Sequence, residues 1–276
     1  MKGISFGQYY PANSIIHKMD PRFKILLAIV FIVGTFLCKS AVSFAALLCI
    51  GITLIFISRI PFKTMLRSIR PLLFIIGFTV IINIFLGTGE NLLVEIWKIR
   101  IYAEGIWRAV FMFLRIFVLI TSTSIFLTYT TTPMDLTDAL ESLLAPLKLL
   151  HVPVHVFAMM MSITLRFIPT LTEETEKIMN AQKARGADFM NGSLIKRVKA
   201  LIPILIPLFS SAINRATQLA DAMECRCYHG GEGRTKLRIL KYRFRDVMTL
   251  IVMFLFVAAI ITINICGARF GWFYTM

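Results

Sequence analysis

Residues 247–266, VMTLIVMFLFVAAIITINIC, run for twenty positions without a charged side chain, a glycine or a proline. At 1.5 Å per helical residue this stretch is about 30 Å long, the thickness of a bilayer's hydrocarbon core. It lacks the polar stripe with a 3.6-residue period that a helix on the surface of a soluble protein carries. Toward the N-terminus four more apolar runs stand out: residues 25–37, 41–58, 71–87 and 106–129. The first is short but is extended by Phe23 and by Lys24, whose stem is expected to snorkel toward the interface. With the second, across a brief turn at Lys39, it makes a helical hairpin. Composition agrees: of 276 residues 57% are hydrophobic and 16% charged, with a mean hydropathy of +0.76. Soluble domains carry roughly a quarter charged residues. The expected fold is an all-α integral membrane protein with about five transmembrane helices and a cytoplasmic region of crossed helices.

Thirty Lys and Arg against fifteen Asp and Glu give a net charge of +15. In a soluble protein this would suggest a nucleic-acid partner; here the basic residues read as the cytoplasmic excess that orients membrane proteins, and no nucleic acid is expected. Four precede the first span (Lys2, Lys18, Arg22, Lys24), one follows it (Lys39), and four occupy the next loop (Arg59, Lys63, Arg67, Arg70). The loop at 88–105 holds Lys98 and Arg100 beside Glu90, Glu95 and Glu104. The positive-inside rule therefore puts the N-terminus in the cytoplasm and the C-terminus outside. The expected organisation is 1–130, an N-terminal cytoplasmic segment and four membrane helices; 131–245, a cytoplasmic or interfacial region; and 246–276, the last membrane helix and an outside C-terminus. Met1 to Asp20 contains no apolar stretch and no small-residue cleavage site, so no removable signal peptide is expected. Cys38, Cys49 and Cys266 accompany apolar runs and Cys225 and Cys227 sit among basic residues, which is not a secreted disulfide framework.

Between Arg166 and Arg245 lie fifteen basic residues and seven acids. The apolar pieces at 152–165 and 201–213 are short and carry Pro153, Pro203 and Pro207, so interfacial or packed helices are expected there, with a seven-span arrangement as the alternative. Two stretches share a plan: an apolar run ending at a proline, a polar helix, then an arginine. In the first, Leu165-Arg166-Phe167-Ile168-Pro169 leads to 170–183 and Ala184-Arg185-Gly186. Thr170 and Glu173 have capping-box spacing, and Gly186 is a natural helix stop. In the second, Pro207 leads to 210–224, Cys225-Arg226-Cys227-Tyr228 and the glycine-rich Gly230-Gly231-Glu232-Gly233. Ala212, Ala216 and Ala220 recur every four residues and let another backbone approach closely, which fits a crossed helix pair. A guanidinium at a rigid helix tip offers five fixed donors to carboxylates or carbonyls in a partner's groove. The alternative is that both arginines only cap their helices or face anionic headgroups.

These residues resemble the transmembrane T component of energy-coupling factor (ECF) vitamin and micronutrient transporters, a family shared with the membrane component of cobalt and nickel importers. The matching positions are Asp20-Pro21-Arg22 with Lys24; Thr131-Thr132-Pro133 through Ala139-Leu140; Leu165 to Pro169; Ala181-Gln182 with Ala184-Arg185-Gly186; Arg215-Ala216; and Leu219-Ala220 through Met223-Glu224 to Arg226 and Tyr228. The resemblance implies a non-catalytic scaffold in a bacterial cell membrane. Two coupling helices would cross on its cytoplasmic face and dock through Arg185 and Arg226 into two ABC-type ATPases, while its membrane face would hold a substrate-binding S component. ATP hydrolysis would then belong to the partners. Cys225 and Cys227 depart from the Ala and Gly usual in that motif.

No phosphate-binding G-x-x-x-x-G-K-[ST] occurs, and neither cofactor nor metal is expected. Cys225, Cys227 and His229 lack a fourth zinc ligand; His151 and His155 have i, i+4 spacing but are interrupted by Pro153. Met159, Met160, Met161 and Met223 make adaptable apolar surface. Arg108 and Arg115 lie two turns apart on one helix; intramembrane arginines are functional candidates, and the alternative is that Arg108 snorkels outward while a carbonyl or polar group holds Arg115. Two other function classes stand against the scaffold. A membrane enzyme acting on lipid-linked phosphates would need a catalytic cluster, for which Asp135, Asp138 and Glu141 are the compact set; they read more simply as the polar face of an amphipathic helix at 133–150. An independent secondary transporter would need acids for ion coupling, and the five spans contain none.

Overall fold

The computed structural model describes residues 9–86, 92–96, 99–187, 189, 193–230, 240 and 242–270. The first eight residues, Gly87 to Asn91 with Glu90, Lys98, Asp188, and the glycine-rich Gly231 to Gly233 with Glu232 lie outside the described residues. The described helices are α1 (Pro21–Leu37), α2 (Ala41–Ser58), α3 (Phe62–Ile69), α4 (Leu73–Leu86), α5 (Ala103–Thr123), α6 (Pro133–Leu143), α7 (Val154–Ala184), α8 (Leu194–Glu224) and α9 (Phe244–Phe270). Strands β1 (Leu92–Ile96) and β2 (Ile99–Tyr102) pair antiparallel as one hairpin, with Glu95 opposite Arg100 and an irregularity between Leu92 and Val94. The other described elements are helical, as expected of a polytopic membrane protein.

The chain packs as two compact units, one formed by Met1–Ala139 with Ile239–Met276 and the other by Leu140–Arg238. In the first, α1 packs on α5 and α9, and α4 packs on α5. Its core gathers Phe23, Leu27, Phe31, Phe44, Leu47, Val118, Ile125, Tyr129 and Ile260. A Cβ on Gly34 would lie 3.1 Å from Val257, so the α1–α9 approach depends on that missing side chain. Asp20 caps α1 by accepting the Arg22 amide at 2.9 Å, with Pro21 in the first turn, where a missing N–H costs nothing. At the other end, orphan carbonyls of α1 are satisfied from two sides. Asn264 of α9 donates to Leu37 O at 2.6 Å while accepting from the Ser43 hydroxyl at 2.7 Å, and Arg115 of α5 donates to Cys38 O at 2.9 Å. Arg115 also lies 5.8 Å from the Phe44 ring centroid. A carbonyl therefore holds Arg115, while Arg108 is exposed.

Several boundaries differ from the sequence expectation. The third span begins at Phe62, because a single 3₁₀ turn at Arg70–Leu72 carries α3 into α4 without a break at Pro71. The fourth starts at Ala103 and continues past Thr123 as a π-helical segment, Ser124–Tyr129. The amphipathic helix expected at 133–150 ends at Leu143, and Ala145–Leu150 forms a 3₁₀ segment with Pro146 in its first turn, where proline has no N–H to continue an α-helix. Lys24 does not snorkel. It is 2% exposed and donates to Thr130 O at 2.6 Å and His17 O at 3.3 Å, with Asp135, Asp20 and Asp246 near enough to act on its charge.

The largest correction concerns the pieces at 152–165 and 201–213, which are parts of α7 and α8. Each of these helices has 31 residues and is therefore about 46 Å long. Pro169, Pro203 and Pro207 lie inside them, each removing one backbone donor without ending the helix. Thr170 is consequently interior to α7, and no capping box starts there. Its neighbour Thr172 donates back to Ile168 O at 2.8 Å, as mid-helix threonines do. Among the described residues six helical stretches are long and apolar enough to cross a membrane, and α7 and α8 are among them.

Candidate functional site

Within the second unit both long helices end in one hydrogen-bond pattern. At the end of α7, Ala187 N–H donates to Gln182 O at 3.0 Å and Gly186 N–H donates to Lys183 O at 3.0 Å. These two bonds satisfy the last carbonyls and require a left-handed residue between them, which is Gly186 at φ 86°. At the end of α8, Tyr228 N–H donates to Met223 O at 3.1 Å and Cys227 N–H to Glu224 O at 2.8 Å. Here the left-handed residue is Cys227, at φ 54°. Arg185 and Arg226 each immediately precede the left-handed residue, and both are exposed, as are Ala184, Gly186, Cys225 and Cys227. Each helix is followed by one arginine and turns back through a left-handed residue, a glycine that takes positive φ freely after α7 and a cysteine held there by the turn after α8.

Between α7 and α8 lies an apolar cavity of about 310 Å³. Ile163, Phe167 and Leu171 line it from α7, and Ala212, Ala216, Ala220, Leu219 and Met223 from α8. The alanine stripe leaves this space because each methyl is short where a leucine would fill it. Arg215, on the same helix, donates to Glu174 Oε2 at 2.8 Å and so ties α8 to α7, with its Nε 3.4 Å from the Ser211 hydroxyl. Sequence spacing marked the alanines but not this ion pair, which joins residues 41 positions apart.

In the first unit the Asp20-Pro21-Arg22 segment is a helix start and an anchor at once. Arg22 donates through Nη1 to the Tyr242 hydroxyl at 2.7 Å and lies 5.2 Å from that ring's centroid, while Phe23 meets the same ring edge-on at 5.8 Å. The preceding segment folds back: Tyr10 N–H donates to Tyr129 O at 3.0 Å. His17 Nε2 lies 2.9 Å from Tyr10 O. That oxygen can only accept, so Nε2 carries the proton, and Nδ1 accepts from the Ser14 hydroxyl at 2.7 Å. Burial holds the His17 pKa below the ordinary 6.5, against a smaller opposing effect of the Tyr10 carbonyl.

The remaining candidates resolve simply. His155 Nδ1 lies 3.0 Å from Glu141 Oε1, an internal pair. Among the described residues no group of three or more His, Cys, Asp or Glu could hold a metal, and Cys225, Cys227 and His229 are all exposed. Met159 to Met161 lie along α7.

The helices define a multi-pass α-helical membrane protein in which two long helices, α7 and α8, each end at an exposed arginine. The sequence matches the family described as cobalt transport protein, CbiQ, over residues 12–237, and the chain belongs to that family. A protein of Ruminiclostridium cellulolyticum named energy-coupling factor transporter transmembrane protein EcfT is 49% identical over 251 residues, covering 90% of this chain and 92% of the relative. A protein of the same name from Thermosediminibacter oceani is 45% identical over 272 residues, covering 99% of this chain and all of the relative. One from Bacillus subtilis is 43% identical over 256 residues, covering 92% and 96%.

Proposed function

We propose that this chain is the transmembrane scaffold of an ATP-driven energy-coupling factor importer for a vitamin or micronutrient. Two ABC-type ATPases dock on its cytoplasmic side, one at Ala184-Arg185-Gly186 and the other at Cys225-Arg226-Cys227, and hydrolysis occurs in those partners. A substrate-binding S component sits against the scaffold in the cell membrane. The N-terminus is cytoplasmic and the C-terminus outside, and residues 131–245 form the coupling region between the first four membrane helices and the last. Ala212, Ala216 and Ala220 form the seam along which the coupling helices cross, and Asp20, Pro21 and Arg22 fasten the N-terminal segment to the membrane helices.

The observation that carries this reading is the repeated geometry of the two tips: the same pair of backbone bonds with an exposed arginine at the same place in each. A capping role alone gives no reason for two guanidiniums to project into solvent from matched rigid turns. The extensive identity to proteins named as transporter transmembrane subunits supports the same class over a lipid enzyme or an independent carrier. The test is the double substitution Arg185→Ala with Arg226→Ala in the assembled transporter. Loss of ATPase association or of coupled uptake is expected, with membrane insertion intact; normal uptake together with normal ATPase activity would overturn the assignment.

A further inference from the structure

The end of α8 carries a feature that the end of α7 lacks. Arg226 stands between two free and exposed thiols, Cys225 and Cys227. Cys227 holds φ 54°, whereas Gly186 holds the matching position in α7. The left-handed conformation strains any residue with a Cβ, and glycine escapes that strain. The turn past Arg226 is closed by the bonds from Cys227 N–H to Glu224 O and from Tyr228 N–H to Met223 O. Cys225 is helical and Cys227 left-handed across this turn; residues two apart on a helical turn do not face each other, while a disulfide needs Cβ atoms about 3.5–4.5 Å apart. Bridging the pair therefore works against the closed turn. Opening the turn loses two backbone bonds but releases Cys227 from its strained conformation, so this end is poised to open more readily than its counterpart.

We propose that Cys225 and Cys227 are a reversible thiol–disulfide switch, and that a low-molecular-weight disulfide oxidant opens the turn that presents Arg226. One cysteine thiolate attacks the oxidant RSSR, forming a mixed disulfide and releasing RS⁻. The second thiolate attacks the protein-bound sulfur, closes the Cys225–Cys227 bond and expels the other RS⁻. Both cysteine protons end on the two RSH molecules: the pair loses two hydrogens and the oxidant is reduced. Thiols of the cytosol are kept reduced, and the disulfides that do form there are usually transient and sensing ones. The consequence for docking rests on the proposed function; the opening of the turn does not.

The experiment equilibrates the full chain, in lipid nanodiscs, with glutathione and glutathione disulfide at increasing ratios. A peptide containing both cysteines, released without cleavage at Arg226, is then weighed, and amide hydrogen exchange is followed in the intact chain. The expected result is a peptide lighter by two hydrogens, restored by dithiothreitol, with exchange at Cys227 and Tyr228 at least tenfold faster and that at Gly186 and Ala187 unchanged. Cys225→Ser should instead trap a glutathione adduct on Cys227. Thiols that stay reduced, stable glutathione adducts on both wild-type cysteines, or a bridged peptide with unchanged exchange would each overturn the switch. Chain oxidised before its ATPases are added should bind them at least tenfold more weakly. If the oxidised chain still binds while Arg226→Ala does not, the regulatory claim falls. If both bind normally, the docking assignment of Arg226 fails, and the regulatory claim with it.

Discussion

Replacing Gly186 with Ala isolates the backbone geometry on which the α7 tip depends. Gly186 has φ 86°, and a Cβ built there meets nothing within 4 Å, so the substitution creates no clash and its cost is conformational. Holding an L-residue with a side chain in the left-handed region costs roughly 1 kcal/mol or somewhat more. That cost falls on the closed turn and is relieved when the turn opens. About 1 kcal/mol corresponds to about a fivefold change in an opening equilibrium. The groups that report it are the amides of residues 186 and 187, bonded to Lys183 O and Gln182 O at 3.0 Å each. Hydrogen exchange on the full chain in micelles should show both amides exchanging about fivefold faster in Gly186→Ala, with the middle of α7 unaffected. The reciprocal change Cys227→Gly should slow exchange at Tyr228. Unchanged or slower exchange at Ala187 in the alanine variant would refute the claim that a left-handed residue closes this turn.

Two further outcomes follow from the first unit. Asn264→Leu removes the bonds to Leu37 O and from Ser43. At about 1 kcal/mol for each hydrogen bond inside a membrane protein, the loss should total about 2 kcal/mol, read by unfolding in mixed micelles. An unchanged unfolding midpoint would remove Asn264 from the account of how α9 is fixed. His17 has its folded pKa below the ordinary 6.5, so the folded state binds fewer protons than the unfolded chain as pH drops. Its contribution to stability is complete above pH 6.5 and is lost as pH falls through the folded value. Thermal unfolding of wild type between about pH 7.5 and about pH 5 should therefore show an acid-side loss that His17→Gln lacks; parallel curves would contradict it.

The membrane character of the chain is legible in sequence because uninterrupted apolar runs such as 247–266 have no other stable home than a bilayer or a buried core. Gly186 is legible as a helix stop because only its residue type takes φ 86° freely. The continuity of α7 and α8 is not legible, since Pro169, Pro203 and Pro207, with a change from apolar to polar composition, imitate a helix boundary. Cys227 is hidden for the converse reason: cysteine carries no local signal for positive φ, and its conformation comes from the turn around it. Lys24 reads in sequence as a snorkelling cation because its burial depends on a carbonyl 106 positions away, at Thr130. Asn264 does leave a signal, a lone amide in an apolar span, where an unpaired polar group is costly and a partner is to be expected.

The most direct measurement is purification of the tagged chain from its native membrane in mild detergent, with identification of every protein that travels with it. The account requires two ABC-type ATPase subunits and one or more small membrane proteins, with the ATPases lost when Arg185 and Arg226 are both alanine. A chain that purifies alone and stable, or that retains its ATPases after both substitutions, would contradict the central claim that these two helix tips couple the scaffold to its motors.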